Sequence, residues 1–366
     1  MKIVNFYVKT QAFNSDNRVL KELESISKKV DKIRIFLSSN DIVDCNKYPY
    51  DIVKIKLIGG SAPKNILLRL LGALQFTVIC TFLSYKMKKR SNITAWICDP
   101  ILFPLVYCAS FIGMKTVWDH HELPPEWTLK SRFTKFLFRK TYKKATFLVH
   151  ANFERMVYLE KKINVLANDY LILKNIPTKK SILDEMKCSQ SIDWLNGRKF
   201  VYLQNSLIEN RNGVEIARAI IDSGYVIVHA GNSVDTNYLN MLGDNYIKKC
   251  LLLGSLGLDS INYLLSCCEF TVISYKSNSL NQMYCEPNRI YQAMARNTFI
   301  IAGNNPTIVD ILKGYPNKIL LPDDGSEYKS VLNAISLYSS DSKASYEYND
   351  FWENYDVDFE RLLSND

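Results

Sequence analysis

The sequence lacks the short motifs that mark the most familiar nucleotide and metal sites. It contains neither a G-x-G-x-x-G fingerprint nor a Walker loop, and its nine cysteines form no C-x-x-C pair and no Cys/His spacing of a zinc site. Most of these cysteines stand inside apolar runs, so we expect reduced, buried thiols. Glycine and proline, at 14 and 11 of 366 residues, are too sparse for a disordered or fibrous chain. A globular protein with a packed core is therefore predicted.

The first residues, MKIVNFYVKT, lack the long apolar stretch and the small-residue cleavage site of a secretory signal, so we expect a cytoplasmic protein. One apolar segment, residues 70–85, has Gln75 as its strongly polar residue. It counts sixteen residues between Arg69 and Lys86, which is short of the roughly twenty that a membrane span requires. A buried or interfacial helix is therefore favoured over a span.

Positive charge is in excess, with 46 Lys and Arg against 37 Asp and Glu and a net charge of +9. The excess is concentrated in two segments without acids, KMKKR at 86–90 and KSRFTKFLFRKTYKK at 130–144. Such clusters indicate an anionic partner or a solvated helix face. Because no helix-turn-helix, zinc-finger or RNP signature accompanies the charge, an anionic membrane surface is favoured and no nucleic-acid partner is expected.

Short apolar segments alternate with helical patterns along the chain, which is typical of parallel α/β sheets. The length of 366 residues fits two domains. The first alternating series ends near Pro177, a more polar stretch continues to Arg198, and the pattern then restarts. We therefore predict two Rossmann-like domains, at 1–180 and 195–340, that face each other across a cleft and bind ligands at the carboxyl ends of their strands.

Three predicted strand ends in the second domain carry groups suited to a nucleotide. The pattern EPNRIYQAMAR predicts a helix with Asn288 and Arg289 in its first turn, and a helix N-terminus beside a guanidinium is a phosphate site. Arg211 lies in a loop directly before another helix, where backbone amides and a guanidinium can converge on a diphosphate. Gly231 follows a third strand and would let a ligand approach the backbone. The alternative is that these polar residues are only solvated.

In the first domain, DHHELPPEW ends a predicted strand. His121 and Glu122 would orient an acceptor hydroxyl or contact a sugar, with His120 and Asp119 in support. Asp99, which ends the preceding strand, is a second candidate on the acceptor side. The alternatives are a purely structural strand-end cluster and a zinc site, and the diverging directions of consecutive strand residues disfavour zinc.

The chain carries, in this order, the segments DNRVLKELESIS, VWDHHELP, LKNIP, QNSLIENRNGVE and EPNRIYQAMARNTFIIAG. They resemble, in turn, the opening D-x-R-V-x-x-E helix, the D-x-H-E strand end, the N-x-P that closes the first domain, the diphosphate loop and the donor motif of the GT-B glycosyltransferases. In particular, the chain resembles the retaining family-4 group that builds bacterial surface polysaccharides, over most of its length. The resemblance implies a C-terminal helix, within 341–366, that crosses back onto the first domain.

The resemblance implies a hexosyltransferase-type enzyme that moves a sugar from a nucleoside-diphosphate donor without a metal cofactor. Arg211 would hold the diphosphate, and Arg289 would take the place of the family's lysine. Gln292 stands where the family has a ribose-binding glutamate, and an amide can also bond ribose hydroxyls. The residues expected at the donor are Asn205, Arg211, Gly231, Asn232, Glu286, Asn288, Arg289 and Gln292. Those expected to take part in catalysis are Arg211, Arg289, His121 and Glu286.

Several positions depart from the family pattern or bear on its metal. Tyr284 stands where the family has the first acid of a paired-glutamate motif, and Glu286 is the acid nearest to it. Asn297 replaces the glycine after the donor helix, at a left-handed position that Asn tolerates. No Mg²⁺ is expected, because the family is metal-independent and no D-x-D motif follows a strand in the predicted cleft. Asp323 and Asp324 lie in a late loop and are interpreted as surface acids.

The resemblance also implies a polyprenyl-diphosphate-linked or oligosaccharide acceptor in capsule or O-antigen synthesis. A basic helix predicted over 128–144 would then hold the protein on the inner face of the cell membrane. Its apolar residues would contact lipid or belong to the core; they are Phe133, Phe136, Leu137 and Phe138.

Two other functions stay open. A GT-B-like nucleotide-sugar epimerase or hydrolase would use carboxylates such as Glu122 and Glu286 to activate water. A catalytically inactive protein, with Gln292 in place of the glutamate, would bind nucleotide weakly and recruit partners to the membrane.

Overall fold

The computed structural model describes residues 1–61, 63, 65–88, 93–183, 193–232 and 234–364. The chain divides into two compact units. The first contains Met1–Lys174 and Tyr355–Asp366, and the second contains Asn175–Asn354. Sequence placed the first boundary within 180–195 and the second at 340, so the structure begins the second unit earlier and ends it later. Part of the predicted basic segment at 86–90 and of the linker lies outside the described residues.

The first unit is built on a seven-stranded sheet in which every pairing is parallel. The strand order is β3-β2-β1-β4-β5-β6-β7. The central strands are buried on both faces, as expected for a parallel sheet covered by helices. The strands are β1 (Ile3–Lys9), β2 (Lys32–Ser38), β3 (Asp51–Lys54), β4 (Ile93–Cys98), β5 (Lys115–His120), β6 (Phe147–His150) and β7 (Tyr170–Ile172).

The helices that connect these strands are α1 (Asn17–Ser27), α2 (Ile66–Lys88), α3 (Phe103–Phe111), α4 (Glu126–Lys130), α5 (Arg132–Lys144) and α6 (Phe153–Ile163). Helix α1 begins at Asn17, because the Asp16 carboxylate accepts the Val19 N–H at 3.3 Å and caps the first turn. Helix α2 has the length and apolar composition of a membrane-crossing helix, and it packs against the neighbouring helix of the first unit.

The prediction of a single basic helix over 128–144 is wrong, because Ser131 interrupts the helix. That residue is extended, with φ −73° and ψ 128°, and its hydroxyl accepts the Thr134 N–H as the cap of α5. A serine that bonds the backbone in this way ends one helix and starts the next. Within α5, Phe138 is fully buried whereas Phe133 and Phe136 are exposed, so the predicted apolar residues divide between core and surface.

The second unit contains a six-stranded sheet, again parallel throughout, in the order β10-β9-β8-β11-β12-β13. Its strands are β8 (Phe200–Gln204), β9 (Val226–Ala230), β10 (Cys250–Leu252), β11 (Phe270–Ile273), β12 (Phe299–Ala302) and β13 (Lys318–Leu320). Its helices are α7 (Lys179–Leu183), α8 (Gly213–Asp222), α9 (Thr236–Asn240), α10 (Asp244–Ile247), α11 (Leu258–Cys267), α12 (Leu280–Met283), α13 (Asn288–Ala295), α14 (Pro306–Ile311) and α15 (Tyr328–Leu337). The two parallel sheets confirm the predicted α/β class.

The last helix, α16 (Asp356–Leu363), packs on the first unit. Phe359 is fully buried and stacks on Trp96 of β4, with 5.7 Å between ring centroids. Lys29 and Glu360 form an ion pair at 2.8 Å beside it. The predicted return of the chain to its first domain is thus confirmed, and α16 belongs to that core.

Truncating Phe359 tests this placement. Phe359→Ala should lower the free energy of unfolding by about 3–5 kcal/mol, because it leaves a cavity beside Trp96. Val357→Ala in the same helix, whose side chain is 75% exposed, should change it by less than about 0.5 kcal/mol. Urea unfolding followed by tryptophan fluorescence measures both, and equal effects would contradict the packing.

Candidate active site

In the second unit, the carboxyl ends of β8 and β9 pack tightly against each other. Asn205 follows β8 in a left-handed conformation, with φ 49°, and Gly231 follows β9 with φ 118°. A Cβ added at Gly231 would lie 1.9 Å from the Asn205 side-chain oxygen. The space predicted for a ligand beside Gly231 is therefore filled by Asn205, while Asn232 next to it is exposed.

Arg211 lies two residues before α8, in the loop predicted to bind a diphosphate. Its guanidinium donates a hydrogen bond to the Asn205 carbonyl and lies 4.9 Å from the Tyr275 ring centroid. The next residue, Asn212, is left-handed with φ 53° and donates from its side chain to the Ser274 hydroxyl at 2.9 Å. These bonds fix the loop between the ends of β8 and β11.

Arg289, in the first turn of α13, is buried and joins the ends of the same two strands. Its guanidinium donates to the Gln204 carbonyl, to the Ser206 hydroxyl at 2.5 Å and to the Ser274 carbonyl at 3.4 Å. It also lies 5.0 Å from the Tyr275 ring centroid. The structure thus brings the two predicted arginines to one aromatic ring, although 78 positions separate them in the sequence.

The two arginines make this edge of the sheet strongly positive. Burial lowers the pKa of Arg289 to about 10, so it stays charged at neutral pH. Burial, with the two guanidinium groups nearby, lowers the pKa of His229 to about 4, and its Nε2 accepts the Ser206 N–H at 3.2 Å. His229 is therefore neutral here. It was not predicted as a site residue, because it looks like an ordinary strand residue.

The other predicted donor residues lie around the start of α13. The helix begins after Pro287 without a side-chain cap, and Asn288 is half-buried in its first turn. Glu286 accepts the Tyr291 hydroxyl at 2.6 Å. The side-chain oxygen of Gln292 is buried and has no hydrogen-bond partner among the described residues. A buried acceptor without a donor is costly in a protein interior, so this oxygen is a candidate to accept a hydrogen bond from a bound ligand.

One sequence interpretation is wrong at this edge. Asp324 is a half-buried connector and not a surface acid. Its carboxylate accepts the Ser277 N–H at 2.6 Å, and its carbonyl accepts the Ser274 hydroxyl at 2.6 Å and the Asn212 side chain at 3.1 Å. Asp324 therefore ties the loop after β11 to the loop that carries Arg211. Asn297, by contrast, adopts the predicted left-handed conformation, with φ 53°.

Gly213 allows the Arg211 loop to close onto β8. An added Cβ would lie 2.5 Å from the Ser206 carbonyl oxygen and 2.8 Å from the Ile208 nitrogen. Gly213→Ala should therefore lower the free energy of unfolding by about 1–3 kcal/mol, because backbone atoms must move. Gly314→Ala, with nothing within 4 Å of its Cβ, is the matched control. Urea unfolding of both variants is the measurement, and equal stability would contradict the close contact.

In the first unit, four charged side chains form what we call the buried charge cluster: Arg18, Glu22, Asp119 and His121. Arg18 donates to Glu22 and to Asp119, each at 2.9 Å. His121 Nε2 lies 2.9 Å from Asp119 and 3.5 Å from Glu22. Both carboxylates are fully buried. The predicted pair of Asp119 and His121 is thus joined by two residues of α1 that sequence analysis did not select for the site.

The charges of the cluster are mutually dependent. Burial and the neighbouring Asp119 raise the pKa of Glu22 to about 7. Burial alone would raise the pKa of Asp119 and lower that of His121. Arg18 and His121 instead hold the pKa of Asp119 below its ordinary value, and Asp119 holds that of His121 well above it. At neutral pH, His121 is therefore an imidazolium.

Three members of the buried charge cluster, together with Cys98, have the composition of a metal site. Glu22, Cys98, Asp119 and His121 each offer a ligand atom, and these atoms lie within 4.8 Å of one another. However, the Arg18 guanidinium already bonds both carboxylates. A fixed cation thus occupies the place that a metal ion would need, and the cluster fits an ion-pair network better than a metal centre.

The remaining acceptor-side candidates differ in position: Asp99 and Glu122 lie at strand ends, whereas His120 lies in the core. Asp99 follows β4 with φ 88°, and its carboxylate accepts the Ile101 N–H at 2.8 Å. Burial raises the pKa of Asp99, and the nearby exposed Glu122 adds to this effect. His120 instead points into the core, 4.2 Å from the Trp118 ring, and burial holds its pKa well below 6.5. The expectation that His120 supports His121 is therefore wrong.

Lys9, at the end of β1, is a further residue that the sequence did not reveal. It is half-buried, burial lowers its pKa, and Asp99 opposes that effect. Lys9, Glu122 and His121 are thus near enough to Asp99 to influence its pKa. The carboxyl edge of the first sheet collects two carboxyl groups, a lysine and an imidazolium at neighbouring strand ends.

Glu22→Gln tests the charges of the buried cluster. The folded protein binds a proton at Glu22 more tightly than the unfolded chain, so wild-type stability should fall as pH rises from 4.5 to about 7. The variant keeps an oxygen for Arg18 but cannot titrate. Its stability relative to wild type should therefore increase over this range, by up to about 3 kcal/mol.

Urea unfolding at a series of pH values measures this difference. Glu24→Gln, two positions along α1 with its carboxylate 66% exposed, is the control and should follow wild type. Parallel curves for Glu22→Gln and wild type would contradict the raised pKa.

Comparison with known proteins identifies the fold. Neither a protein-family model nor a curated protein matches the sequence. Among solved structures, sucrose-phosphate synthase from Thermosynechococcus elongatus superposes with a TM-score of 0.68 at 13% identity, over 99% of this chain and 95% of the other. HepE of Anabaena in complex with UDP has a TM-score of 0.67 at 11% sequence identity, over 99% of this chain and 96% of the other. WaaG, a glycosyltransferase of lipopolysaccharide biosynthesis, has a TM-score of 0.64 at 8% identity, over 98% of this chain and 94% of the other.

The similarity extends over nearly the full length of both chains in each pair. At these identities it defines the fold and not the reaction. The protein therefore has the GT-B fold of the glycosyltransferases, with two parallel sheets of seven and six strands. HepE has also been solved with UDP-glucose.

Proposed function

We propose that this protein is a glycosyltransferase that takes its sugar from a nucleoside-diphosphate sugar. The observation that carries the proposal is the pair of guanidinium groups, Arg211 and Arg289, on the Tyr275 ring at the carboxyl edge of the second sheet. Two helices, α8 and α13, begin beside them. Guanidinium groups and helix N-termini together bind diphosphates. The GT-B neighbours that bind UDP and UDP-glucose support the same donor class.

The donor half would work by stabilising the leaving group. Negative charge grows on the nucleoside diphosphate as the bond to the sugar breaks, and fixed cations in a partly buried site stabilise it. Arg289 is held by three protein oxygens, so its position is set before the donor binds. The open acceptor on Gln292 would receive a ribose hydroxyl, while Asn205, Asn232 and Asn288 would contact the rest of the nucleotide.

Further roles are proposed separately for residues of the first unit and for Glu286 of the second. Because His121 stays protonated, it would donate a hydrogen bond to a sugar or acceptor oxygen and would not act as a base. Asp119, with Arg18 and Glu22 behind it, would keep that imidazolium charged and oriented. Asp99 and Glu122 are the carboxyl groups left to orient the acceptor hydroxyl, and Glu286 would contact the donor sugar.

The finer features of the proposal follow the family-4 resemblance. They are a hexosyltransferase-type reaction with retention at the anomeric carbon and without a metal ion, and an acceptor that is an oligosaccharide or carries a polyprenyl diphosphate, in capsule or O-antigen synthesis. The basic helix α5, which has six Lys and Arg and no acid, supports a peripheral position on the cytoplasmic face of the membrane.

Arg211→Ala tests the donor site. Its affinity for UDP should fall by about 10- to 100-fold, because a hydrogen bond to a charged group contributes about 1.5–3 kcal/mol. Arg218→Ala removes an exposed arginine from α8, the helix that follows Arg211, and should bind UDP as wild type does. Isothermal titration calorimetry gives both affinities.

Arg289→Lys provides a second variant. Lysine keeps the charge but cannot bond the Gln204 and Ser274 carbonyls at once, so an intermediate loss of affinity is expected. Unfolding midpoints separate loss of binding from loss of structure. If wild type bound no nucleoside diphosphate, the proposal would fail; binding without any turnover would favour the inactive binding protein.

A further inference from the structure

We propose that the exposed face of α2 is a membrane-docking surface that lies in the plane of an anionic bilayer. We call this face the apolar stripe. Its side chains are each 50–67% exposed, and they are Leu67, Leu71, Leu74, Val78, Phe82 and Tyr85. Successive members stand three or four positions apart, so they lie on one side of the helix over about 27 Å of its axis.

The opposite face of α2 fixes the helix to the first unit. Its residues are almost fully buried, and they are Ala73, Phe76, Thr77, Cys80 and Ser84. The Ser84 hydroxyl lies 2.5 Å from the Tyr7 hydroxyl of β1. A helix crossing a bilayer would have to leave this sheet and abandon these contacts. The apolar stripe can therefore meet lipid only with α2 lying along the surface, as interfacial helices do.

The charges around the apolar stripe indicate which surface it meets. Helix α2 packs against α3, which packs against α5, and no Asp or Glu occurs in any of the three. Each of the three helices carries an exposed aromatic ring that lies beside a lysine. The nitrogen-to-centroid distances are 4.3 Å for Lys86 and Phe82, 4.6 Å for Lys140 and Phe136, and 5.6 Å for Lys144 and Phe111.

Aromatic rings at the lipid boundary and lysines at the headgroup phosphates are the side chains that favour an anionic bilayer. A second copy of this chain is a poorer occupant, because pairing two apolar stripes would bring two acid-free basic surfaces together. The inference deepens the proposed membrane attachment and rests on it, but it needs no transferase activity.

Flotation of the 366-residue chain with lipid vesicles tests the inference. Wild type should float with vesicles that contain phosphatidylglycerol, and poorly with vesicles of phosphatidylcholine alone. The double variant Leu74→Gln with Val78→Gln should reduce binding to the anionic vesicles by at least about tenfold, because it removes two apolar side chains from the interface. Both side chains are exposed, so the fold should be retained, and unfolding midpoints check this.

A matched control replaces two exposed apolar residues of the second unit. Met241→Gln with Leu337→Gln, at 62% and 74% exposure, should float as wild type does. A third variant, Lys140→Gln with Lys144→Gln, should bind anionic vesicles more weakly and with less dependence on salt. UDP affinity measured on the same preparations keeps a failure of membrane binding distinct from a failure of the proposed transferase function.

Three results would overturn the inference. The first is that the wild-type protein floats with neither kind of vesicle. The second is that the α2 variant floats with anionic vesicles as well as wild type does. Sedimentation that shows a wild-type dimer without lipid, and a monomeric α2 variant, would make the apolar stripe a contact between copies.

Discussion

Parallel pairing is the constraint that brings the candidate site residues together within each unit. In each sheet every strand runs in the same direction, so all the carboxyl ends lie along one edge and the following loops meet there. Residues far apart in sequence, such as Arg211 and Arg289, therefore reach the same aromatic ring. The same constraint brings Asp99 and His121 to neighbouring strand ends in the first unit.

The two edges use charge differently. In the second unit, Arg211 and Arg289 bond backbone carbonyls and a hydroxyl, and no carboxylate bonds either guanidinium among the described residues. Their positive charge therefore stays available to an anion. In the first unit, the cations and carboxylates of the buried charge cluster balance one another. The first arrangement suits a diphosphate, and the second suits the fixed orientation of one imidazolium.

Much of the fold could be predicted from the sequence, because alternating apolar segments and helix caps are local signals. The two parallel sheets follow from such patterns, whereas the left-handed Asn297 and the return of the last helix were implied by the family resemblance. The break at Ser131 was missed because the basic segment looks continuous by composition. The side-chain bond that ends the helix there depends on backbone geometry.

The site was predictable only in part. Motif positions pointed to Arg211, Arg289 and His121. Arg18 and Glu22 also stand in the D-x-R-V-x-x-E segment, but they were given no role in the site, because a pair at (i, i+4) looks like ordinary helix residues. The ion pair between Arg18 and Asp119 of β5, which joins them to the site, is not visible in the sequence. Asp324 looks like a loop acid until its hydrogen bonds are seen. The alternation of side chains along β5 explains why His120 is not part of the cluster. Asp119 and His121 lie on one face of the strand and His120 on the other.

Nucleotide release is the most direct test of the proposed donor chemistry. Purified protein is incubated with UDP-, GDP- and dTDP-linked sugars, and with a CMP-linked sugar that carries a single phosphate, and the freed nucleotide is measured over time. We expect slow, selective turnover of one nucleoside-diphosphate sugar and none of the CMP sugar. If no donor is bound or turned over, the protein does not use nucleotide sugars, and the arginine pair has another ligand.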